Sequence, residues 1–386
     1  MNSTRPAPKP VQFVGLFPDL LGIGGIQEVS RQTVRALVDI SGKKGWSPSL
    51  LGLNDPLGAY EFSAGEHRIA FRGFGRSKLR FIVAAFQNAR KKPRIVLAAH
   101  PNLAPIASWM KRLAPQIKII VMAHGVEVWQ PLPPPRHTAL LAADIVLAAS
   151  TSTVQKLTEV QQLPPEKIRK LPWPLDPEVL SMADAPEHLA APEAFPLSPA
   201  ILTVGRWAAS EQYKGVDDLI RALAQLRSTH KDLTLAAVGA GDDLPRLKKL
   251  ATDLRVADSV RFLTGLSKQD LAACYARADI FALPSTGEGF GLVFLEAMAF
   301  AKPIVAAATG GSTDLVEDKV NGLLIPPRDQ AALTQALDHL LRDHTLRSTL
   351  GQHGAEIVRH KYRFDLFQSK FAAILAACGL DSLPSP

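Results

Sequence analysis

The sequence has very little cysteine and no long uninterrupted apolar run. Cys274 and Cys378 are the only cysteines among 386 residues, too few for a disulfide framework or a zinc cluster. The longest apolar stretch, residues 292–305, is broken by Glu296 and Lys302, so no segment is predicted to span a membrane. These absences argue against a disulfide-rich secreted protein and an integral membrane protein, and they favour the reducing cytoplasm.

The length and the apolar content predict two domains. A chain of 386 residues exceeds the usual size of a single core, and its 47% apolar residues are enough to bury two. The first ten residues are polar and proline-rich, and the apolar stretch after them is cut by Pro18 and Asp19. That pattern argues against a signal peptide.

Positive charge is concentrated in the first half of the chain. Residues 1–180 hold 23 Lys and Arg against 12 Asp and Glu, whereas the remainder holds 21 against 24. This asymmetry predicts an anionic partner for the N-terminal half. The basic residues lack interleaved aromatic platforms and a recognisable nucleic-acid module, which argues against nucleic acid. An anionic membrane surface or a phosphate-bearing acceptor is favoured instead.

One basic segment suggests how a membrane could be contacted. Residues 78–92 are basic at both ends and apolar between them, and Lys111 and Arg112 follow later in the chain. Such cations contribute about 1 kcal/mol each near anionic lipid. We therefore expect a cytoplasmic protein that is peripheral on the inner face of the cell membrane. A core helix with solvated ends is an equal alternative, and the sequence leaves both open.

Short β-like runs alternate with helical stretches throughout, which is typical of parallel α/β architecture. Helices are predicted over residues 27–37 and 78–91. Strands are predicted at residues 11–16, 49–53, 95–98, 117–122 and 145–148, and then at 200–204, 233–238, 260–263, 280–283, 303–307 and 322–325.

The βα rhythm is interrupted once, which gives the predicted domain boundaries. Residues 1–175 form the first domain, and a proline- and alanine-rich passage at 176–199 is predicted to be a linker. Residues 200–364 form the second domain, and a helix within 365–386 is expected to return toward the first. Two such domains in series are expected to face each other across a cleft, with ligands at the carboxyl ends of their strands.

The most informative segment, residues 287–299, places two glutamates across a glycine-rich entry to a helix. A helix beginning near Phe290 presents unpaired N–H groups and the positive end of its dipole, which favour an anion. The helix is apolar nearly all round, and a carboxylate buried there needs a partner. Glu288 and Glu296 can accept hydrogen bonds from hydroxyl groups. An anionic, hydroxylated ligand such as a sugar nucleotide fits this pattern.

Further candidates lie in turns that follow predicted strands. Arg206 comes just after a strand and Lys214 just before a helix, so both are placed to converge on a diphosphate. Gly24 and Gly25 let backbone approach a phosphate closely. That turn is not a dinucleotide fingerprint, because Gln27 occupies the position of its last glycine. Solvated loop cations and a plain turn are the alternatives.

Taken together and in order, these segments resemble the retaining glycosyltransferases of family 4. The resemblance covers nearly the whole chain and is strongest over residues 200–325. It implies the GT-B fold, in which two Rossmann-like α/β domains face each other across a cleft, the first binding acceptor and the second nucleotide sugar. It rests on Gly24-Gly25, Gly205-Arg206, Lys214-Gly215, Pro284-Ser285, Glu288-Gly289-Phe290-Gly291, Glu296-Ala297-Met298, Gly310-Gly311 and Asn321-Gly322-Leu323-Leu324.

The resemblance implies a role for each matching position on the donor side. Arg206 and Lys214 would hold the donor diphosphate, and Glu296 would bind the ribose hydroxyls. Glu288 would hold the donor sugar near its anomeric carbon as a catalytic residue. The remaining donor-binding positions are Gly24, Gly25 and the backbone of Gly289, Phe290, Gly291 and Leu292.

A histidine turn in the first half matches the family as well. His124 follows a predicted strand and resembles the histidine beside the transferred sugar, so it is the second catalytic candidate. On its own, a histidine after a strand is more often a structural hydrogen-bonding group. His100, which ends the preceding strand, is a candidate for the acceptor side.

The implied activity is that of a retaining hexosyltransferase. A hexose would move from a nucleotide diphosphate sugar to a glycan or lipid-linked acceptor in cell-surface polysaccharide or glycolipid synthesis. The leaving diphosphate would help to remove the acceptor proton, so the protein would mainly position groups and stabilise charge. No Asp-x-Asp element stands at a strand end, and Arg206 with Lys214 can replace a cation, so neither a metal nor another cofactor is expected.

The sequence leaves the substrates open, and it is compatible with two other functions. Residues 211–215 resemble some mannosyl-transferring members, which favours GDP-mannose over UDP-glucose or UDP-N-acetylglucosamine. A sugar-nucleotide epimerase of similar fold would need its own acid and base residues. A non-catalytic nucleotide-sugar-binding protein would bind a donor without turnover.

Overall fold

A computed structural model describes residues 13–44, 46–64 and 67–380. The chain divides into two compact units, one formed by Met1–Pro172 with Asp365–Pro386 and the other by Trp173–Phe364. The strand predicted over residues 11–16 begins outside the described residues, and its described part is a buried strand.

The described residues of the first unit form an eight-stranded sheet. The strands are β1 (Phe13–Phe17), β2 (Ser49–Gly52), β3 (Gly58–Ala64), β4 (His67–Gly73), β5 (Ile95–Ala98), β6 (Lys118–Ala123), β7 (Ile145–Ala148) and β8 (Ile168–Lys170). The order across the sheet is β3-β4-β2-β1-β5-β6-β7-β8. β3 pairs with β4 in antiparallel fashion, and the other neighbouring pairs are parallel.

Helices connect these strands and bury their apolar faces on the sheet. The core strands β5 and β7 are almost entirely apolar and buried, as expected for parallel strands that are covered on both sides. The helices are α1 (Gly25–Lys44), α2 (Lys78–Ala89), α3 (Ala104–Leu113), α4 (Pro134–Leu141) and α5 (Thr151–Glu159).

The described residues of the second unit form a six-stranded sheet in which every neighbouring pair is parallel. The strands are β9 (Ala200–Val204), β10 (Thr234–Val238), β11 (Val260–Leu263), β12 (Ile280–Leu283), β13 (Ile304–Ala307) and β14 (Gly322–Ile325). The order across the sheet is β11-β10-β9-β12-β13-β14. The chain thus winds outward from β9 in one direction and then restarts at β12 on its other side, which creates a topological switch point.

Helices surround this second sheet, and a last helix returns to the first unit. That last helix, α14 (Phe364–Leu375), buries Phe367 and Phe371, whose rings stack 5.7 Å apart. The others are α6 (Pro177–Asp184), α7 (Val216–Leu226), α8 (Leu244–Asp253), α9 (Lys268–Arg277), α10 (Leu292–Ala299), α11 (Ser312–Leu315), α12 (Gln330–Arg342) and α13 (His344–Lys361).

The passage predicted to be a linker, residues 176–199, contains α6 and lies in the second unit. Asp176 caps this helix by accepting a hydrogen bond from the backbone N–H of Glu178 at 3.0 Å. Val179 and Ala183, four positions apart, are buried, and the helix packs against α9 and α10. The prolines of this passage therefore mark the ends of a packed helix as well as irregular chain.

The predicted parallel strands are confirmed, several of them to the residue, and the α/β fold class is confirmed with them. The β3–β4 hairpin and β8 were not predicted. β8 is a three-residue edge strand with two exposed residues, so it lacks a buried strand's apolar run. Among the described helices, none combines the length and the apolar character needed to cross a bilayer.

Candidate functional site

The candidate residues of the second unit gather at the switch point of its sheet. β9, β12 and β13 are neighbours, so the loops that leave their carboxyl ends lie side by side. The loop after β9 carries Arg206 and Lys214, the loop after β12 carries Glu288, and the loop after β13 carries Gly311. Ligands of open α/β sheets bind at this position.

Lys214 and Glu288 form an ion pair across two of these loops. The lysine Nζ lies 3.5 Å from Glu288 Oε2, and each side chain is only 14% exposed. The lysine Nζ also lies 5.8 Å from the centre of the Tyr213 ring, within the range of a cation–π interaction. Burial, followed by the Glu288 charge, raises the pKa of Tyr213. The structure thus places one cation and one carboxylate together at the sheet edge.

Arg206 has a different carboxylate partner. Its guanidinium pairs with Glu211 in the same loop. The arginine side chain is 72% exposed, whereas that of Glu211 is 13% exposed. Arg206 and Lys214, the two residues predicted to bind phosphate, therefore lie in the same loop but form ion pairs with different glutamates.

The glycine-rich loop bends sharply before α10. Gly291 adopts φ +98°, a left-handed conformation that side-chain-bearing residues rarely take. α10 then begins at Leu292, two positions later than the start near Phe290 that the sequence indicated. The turn places Phe290 inside the unit, where its ring lies 6.2 Å from that of Tyr362.

Close backbone contact joins this loop to the one after β13. The N–H of Gly311 donates to the carbonyl oxygen of Glu288 at 2.7 Å. A Cβ atom at Gly311 would lie 2.5 Å from the Cα of Phe290 and 2.6 Å from the carbonyl oxygen of Gly289. Glycine at this position thus lets the loop that carries Glu288 rest directly on its neighbour.

Glu296 is held by a tyrosine that the sequence gave no reason to select. The hydroxyl of Tyr275 on α9 donates to Glu296 Oε2 on α10 at 2.7 Å. Burial, followed by the Glu296 charge, raises the pKa of Tyr275 well above its usual value, so the hydroxyl stays a donor. The two residues are 21 positions apart on different helices, a separation with no local periodic signal.

In the first unit, the two candidate histidines lie together. His124 follows β6, and its Nε2 is 2.7 Å from the carbonyl oxygen of Ala99. The ring of His100 stacks on that of His124 with centres 5.9 Å apart. The Nδ1 of His100 accepts a hydrogen bond from the N–H of Asn102 at 3.1 Å. Burial, followed by the neighbouring His124, lowers the pKa of His100 to about 4, so His100 is neutral at pH 7.

The glycine turn of the first unit leads from β1 into α1. Gly24 adopts φ +147°, and Gly25 begins the helix with nothing within 4 Å of a Cβ built on it. The start of this loop is fixed by the carboxylate of Asp55, which accepts from the N–H groups of Leu20 and Leu21 at 2.9–3.0 Å. Gly25 therefore leaves open space beside the first turn of α1.

The arrangement in the second unit suits an anionic ligand that also carries hydroxyl groups. The loops at one edge of the sheet offer the cations Arg206 and Lys214, the carboxylates of Glu211 and Glu288, and the backbone of a glycine-rich loop. Across residues 13–44, 46–64 and 67–380, no group of three or more His, Cys, Asp or Glu side chains is arranged to hold a metal ion. The first unit, taken by itself, holds the paired histidines and the glycine turn.

Sequence models of two families match consecutive parts of the chain. The model described as Glycosyltransferase Family 4 matches residues 23–179. The model described as Glycosyl transferases group 1 matches residues 186–357. The two matches together cover both units.

Two relatives illustrate the likeness in sequence. A D-inositol 3-phosphate glycosyltransferase of Stackebrandtia nassauensis is 36% identical over 231 residues, which are 58% of this chain and 51% of the relative. The chain thus aligns with about half of that relative's length. A GDP-mannose-dependent alpha-(1-6)-phosphatidylinositol monomannoside mannosyltransferase of Mycolicibacterium smegmatis is 32% identical over 287 residues, 71% of this chain and 73% of the relative.

Solved structures show the same fold. The sucrose-phosphate synthase of Thermosynechococcus elongatus has a TM-score of 0.77 at 24% identity and covers 96% of this chain and 100% of its own. HepE of Anabaena in complex with UDP has a TM-score of 0.73 at 19% identity, over 95% and 100% of the two chains. These likenesses assign the GT-B fold. With the two family matches and the extent of the mycolicibacterial alignment, they show that the chain belongs to glycosyltransferase family 4.

Proposed function

We propose that the protein transfers a hexose from a nucleoside diphosphate sugar to a glycan or lipid-linked acceptor, with retention at the anomeric carbon. The observation that carries the proposal is the Lys214–Glu288 pair at the switch point of the second sheet. A shielded lysine beside a shielded carboxylate offers charge to a phosphate and an acceptor to sugar hydroxyls. Membership of family 4 supports the same reaction class.

Each group of the second unit then has a part in donor binding. Lys214 and Arg206 hold the diphosphate, and Glu296 binds the ribose hydroxyls. Glu288 and the backbone from Gly289 to Leu292 hold the sugar. As the bond to the anomeric carbon breaks, negative charge grows on the diphosphate, and fixed cations stabilise it. The lysine ammonium group has three donor hydrogens, so it can stay paired with Glu288 while it binds a phosphate oxygen.

In the first unit, we propose that His124 takes part in the transfer step and that the turn at Gly24 and Gly25 lets the ligand approach the backbone. The ring of His100, which is neutral at pH 7, stacks on that of His124. The open space beside Gly25 supports the role of the turn.

For the substrates, we propose GDP-mannose as donor and an acceptor that bears an inositol phosphate. The mycolicibacterial relative is named for GDP-mannose and for phosphatidylinositol monomannoside. The Stackebrandtia relative is named for D-inositol 3-phosphate. The excess of positive charge in residues 1–180 also favours a phosphorylated acceptor.

The test is a transfer assay with three donors against three acceptors. GDP-mannose, UDP-glucose and UDP-N-acetylglucosamine are each combined with inositol 1-phosphate, inositol 3-phosphate and phosphatidylinositol vesicles. We expect one donor to yield a glycosylated product whose anomeric configuration, read by NMR, equals that of the donor. A product of inverted configuration would refute retention. An epimerised donor released without acceptor would identify an epimerase, and binding without turnover would indicate a non-catalytic protein.

We also propose that the first unit associates with the inner face of the cell membrane. α2 exposes Leu79 and Val83 while burying its other face, and the neighbouring α3 exposes Trp109 and Leu113. Basic residues border both helices, including Lys111 and Arg112 in the last turn of α3. Apolar side chains ringed by cations suit an anionic bilayer surface. Co-sedimentation should show binding to vesicles with phosphatidylserine and little binding to neutral ones; equal binding to both would refute the idea.

A further inference from the structure

Glu296 does not hold its orientation alone. It lies on α10, and its Oε2 accepts a hydrogen bond from Tyr275 on α9 at 2.7 Å. That length is typical of a hydroxyl bonded to a carboxylate, one of the stronger classes of hydrogen bond. The bond links α9 and α10 of the second unit.

The tyrosine is fixed by aromatic packing on more than one side. Tyr275 is 1% exposed. Its ring stacks on that of Phe300, with centres 5.9 Å apart and planes 10° apart. Phe281 lies 5.8 Å away on β12. A ring held this tightly keeps its hydroxyl at one point, where it donates to Glu296 Oε2.

We propose that Tyr275 is a positioning residue for the donor ribose and acts through Glu296. The inference rests on the proposed function, in which Glu296 binds the ribose hydroxyls. A glutamate has three rotatable bonds, and fixing them in advance removes an ordering cost from ligand binding. Tyr275 occupies one acceptor direction of the carboxylate and so decides which directions face the ribose.

The test compares nucleotides with and without the ribose hydroxyls. GDP, UDP and their 2′,3′-dideoxy forms are titrated calorimetrically into the wild-type chain and into Tyr275→Phe. The wild type should bind one ribonucleotide at least tenfold more tightly than its dideoxy form, which corresponds to about 1.4 kcal/mol. Tyr275→Phe should reduce this ratio about fivefold and raise the donor KM with kcat nearly unchanged.

Two further variants separate positioning from general stability. Tyr362→Phe also removes a buried hydroxyl, one that donates to the carbonyl oxygen of Asp314 at 3.2 Å. Tyr362→Phe should bind the ribonucleotide more tightly than the dideoxy form by the same factor as the wild type. In a Glu296→Ala background, Tyr275→Phe should cause no further loss, because the two residues act as one unit.

The outcomes distinguish this inference from the function on which it rests. A wild type that binds neither nucleotide would remove the proposed function and the inference together. Selective binding by the wild type with an unchanged ratio in Tyr275→Phe would overturn the inference alone. If Tyr275→Phe does not fold, Phe300→Leu keeps the hydroxyl but removes the stacked ring. It should lower the ratio about twofold, and an unchanged ratio there would equally refute the proposal.

Discussion

Gly311 contacts the loop that carries Glu288, and a substitution at Gly311 tests whether that contact positions the loop. Gly311→Ala adds a single methyl group. Its Cβ would lie 2.5 Å from the Cα of Phe290, 2.6 Å from the carbonyl oxygen of Gly289 and 2.7 Å from that residue's carbonyl carbon. All three are backbone atoms, so no flexible side chain can turn aside. The loop must move by about 0.9 Å to bring the 2.5 Å approach to an ordinary 3.4 Å contact.

The magnitude follows from two losses. Overpacking of this kind costs roughly 1–3 kcal/mol. The movement also stretches the 2.7 Å hydrogen bond between the Gly311 N–H and the Glu288 carbonyl oxygen, which contributes about 1 kcal/mol. A loss of about 3 kcal/mol lowers the Tm of a unit this size by roughly 6–12 °C. Because the displaced loop carries Glu288, turnover should fall at least about tenfold.

Calorimetry and the transfer assay measure these two effects on the same protein. Gly58→Ala is the matched control, because a Cβ there meets its nearest neighbour, the Tyr60 ring, at an ordinary 3.4 Å. It should leave Tm and turnover close to those of the wild type. If Gly311→Ala melted and turned over like the wild type, the close approach of the two loops would be refuted.

Three further predictions concern single groups. Arg206→Ala should raise the donor KM roughly 10–100-fold, from the loss of a charged hydrogen bond, yet barely change Tm, because the arginine side chain is 72% exposed; a wild-type KM in saturation kinetics would contradict its role. Gly25→Ala should leave Tm unchanged but weaken ligand binding, whereas Gly24→Ala, at φ +147°, should lower Tm; melting curves and titrations distinguish them. Because the pKa of His100 falls from 6.5 to about 4 on folding, the unfolded chain takes up a proton first. The contribution of neutral His100 to the free energy of unfolding is complete above pH 6.5, and it falls by up to about 3 kcal/mol as the pH drops to 4. Urea unfolding at several pH values should show this decrease in the free energy of unfolding, and the decrease should be smaller in His100→Asn.

The sequence carried most of the fold, because parallel strands buried on both faces stand out as short apolar runs. β5, β7, β9 and β12 begin and end at the predicted residues. The β3–β4 hairpin escaped prediction because much of it is exposed or half-buried, so its apolar pattern is weak. The helix α6 escaped prediction because prolines flank it, and only its packing shows it to be part of a core.

The sequence predicts those site residues that stand in a recognisable local motif. Lys214 and Glu288 were found because each stands in a glycine-bearing turn after a strand. Their pairing and the support of Glu296 by Tyr275 are contacts between separate segments, which depend on how the elements pack. Spacing along a chain does not encode such contacts, so the structure was needed to assign them.

In the proposed function, the Lys214–Glu288 pair binds a nucleoside diphosphate sugar. This binding is measured by calorimetric titration of GDP-mannose, UDP-glucose and UDP-N-acetylglucosamine into the wild type, Lys214→Ala and Glu288→Gln. We predict that one donor binds the wild type with 1:1 stoichiometry and that Lys214→Ala weakens it at least about 30-fold, or ~2 kcal/mol. Glu288→Gln should bind the diphosphate in the titration but give no product in the transfer assay. Absence of donor binding by the wild type, or wild-type binding and transfer by both variants, would contradict this role of the pair.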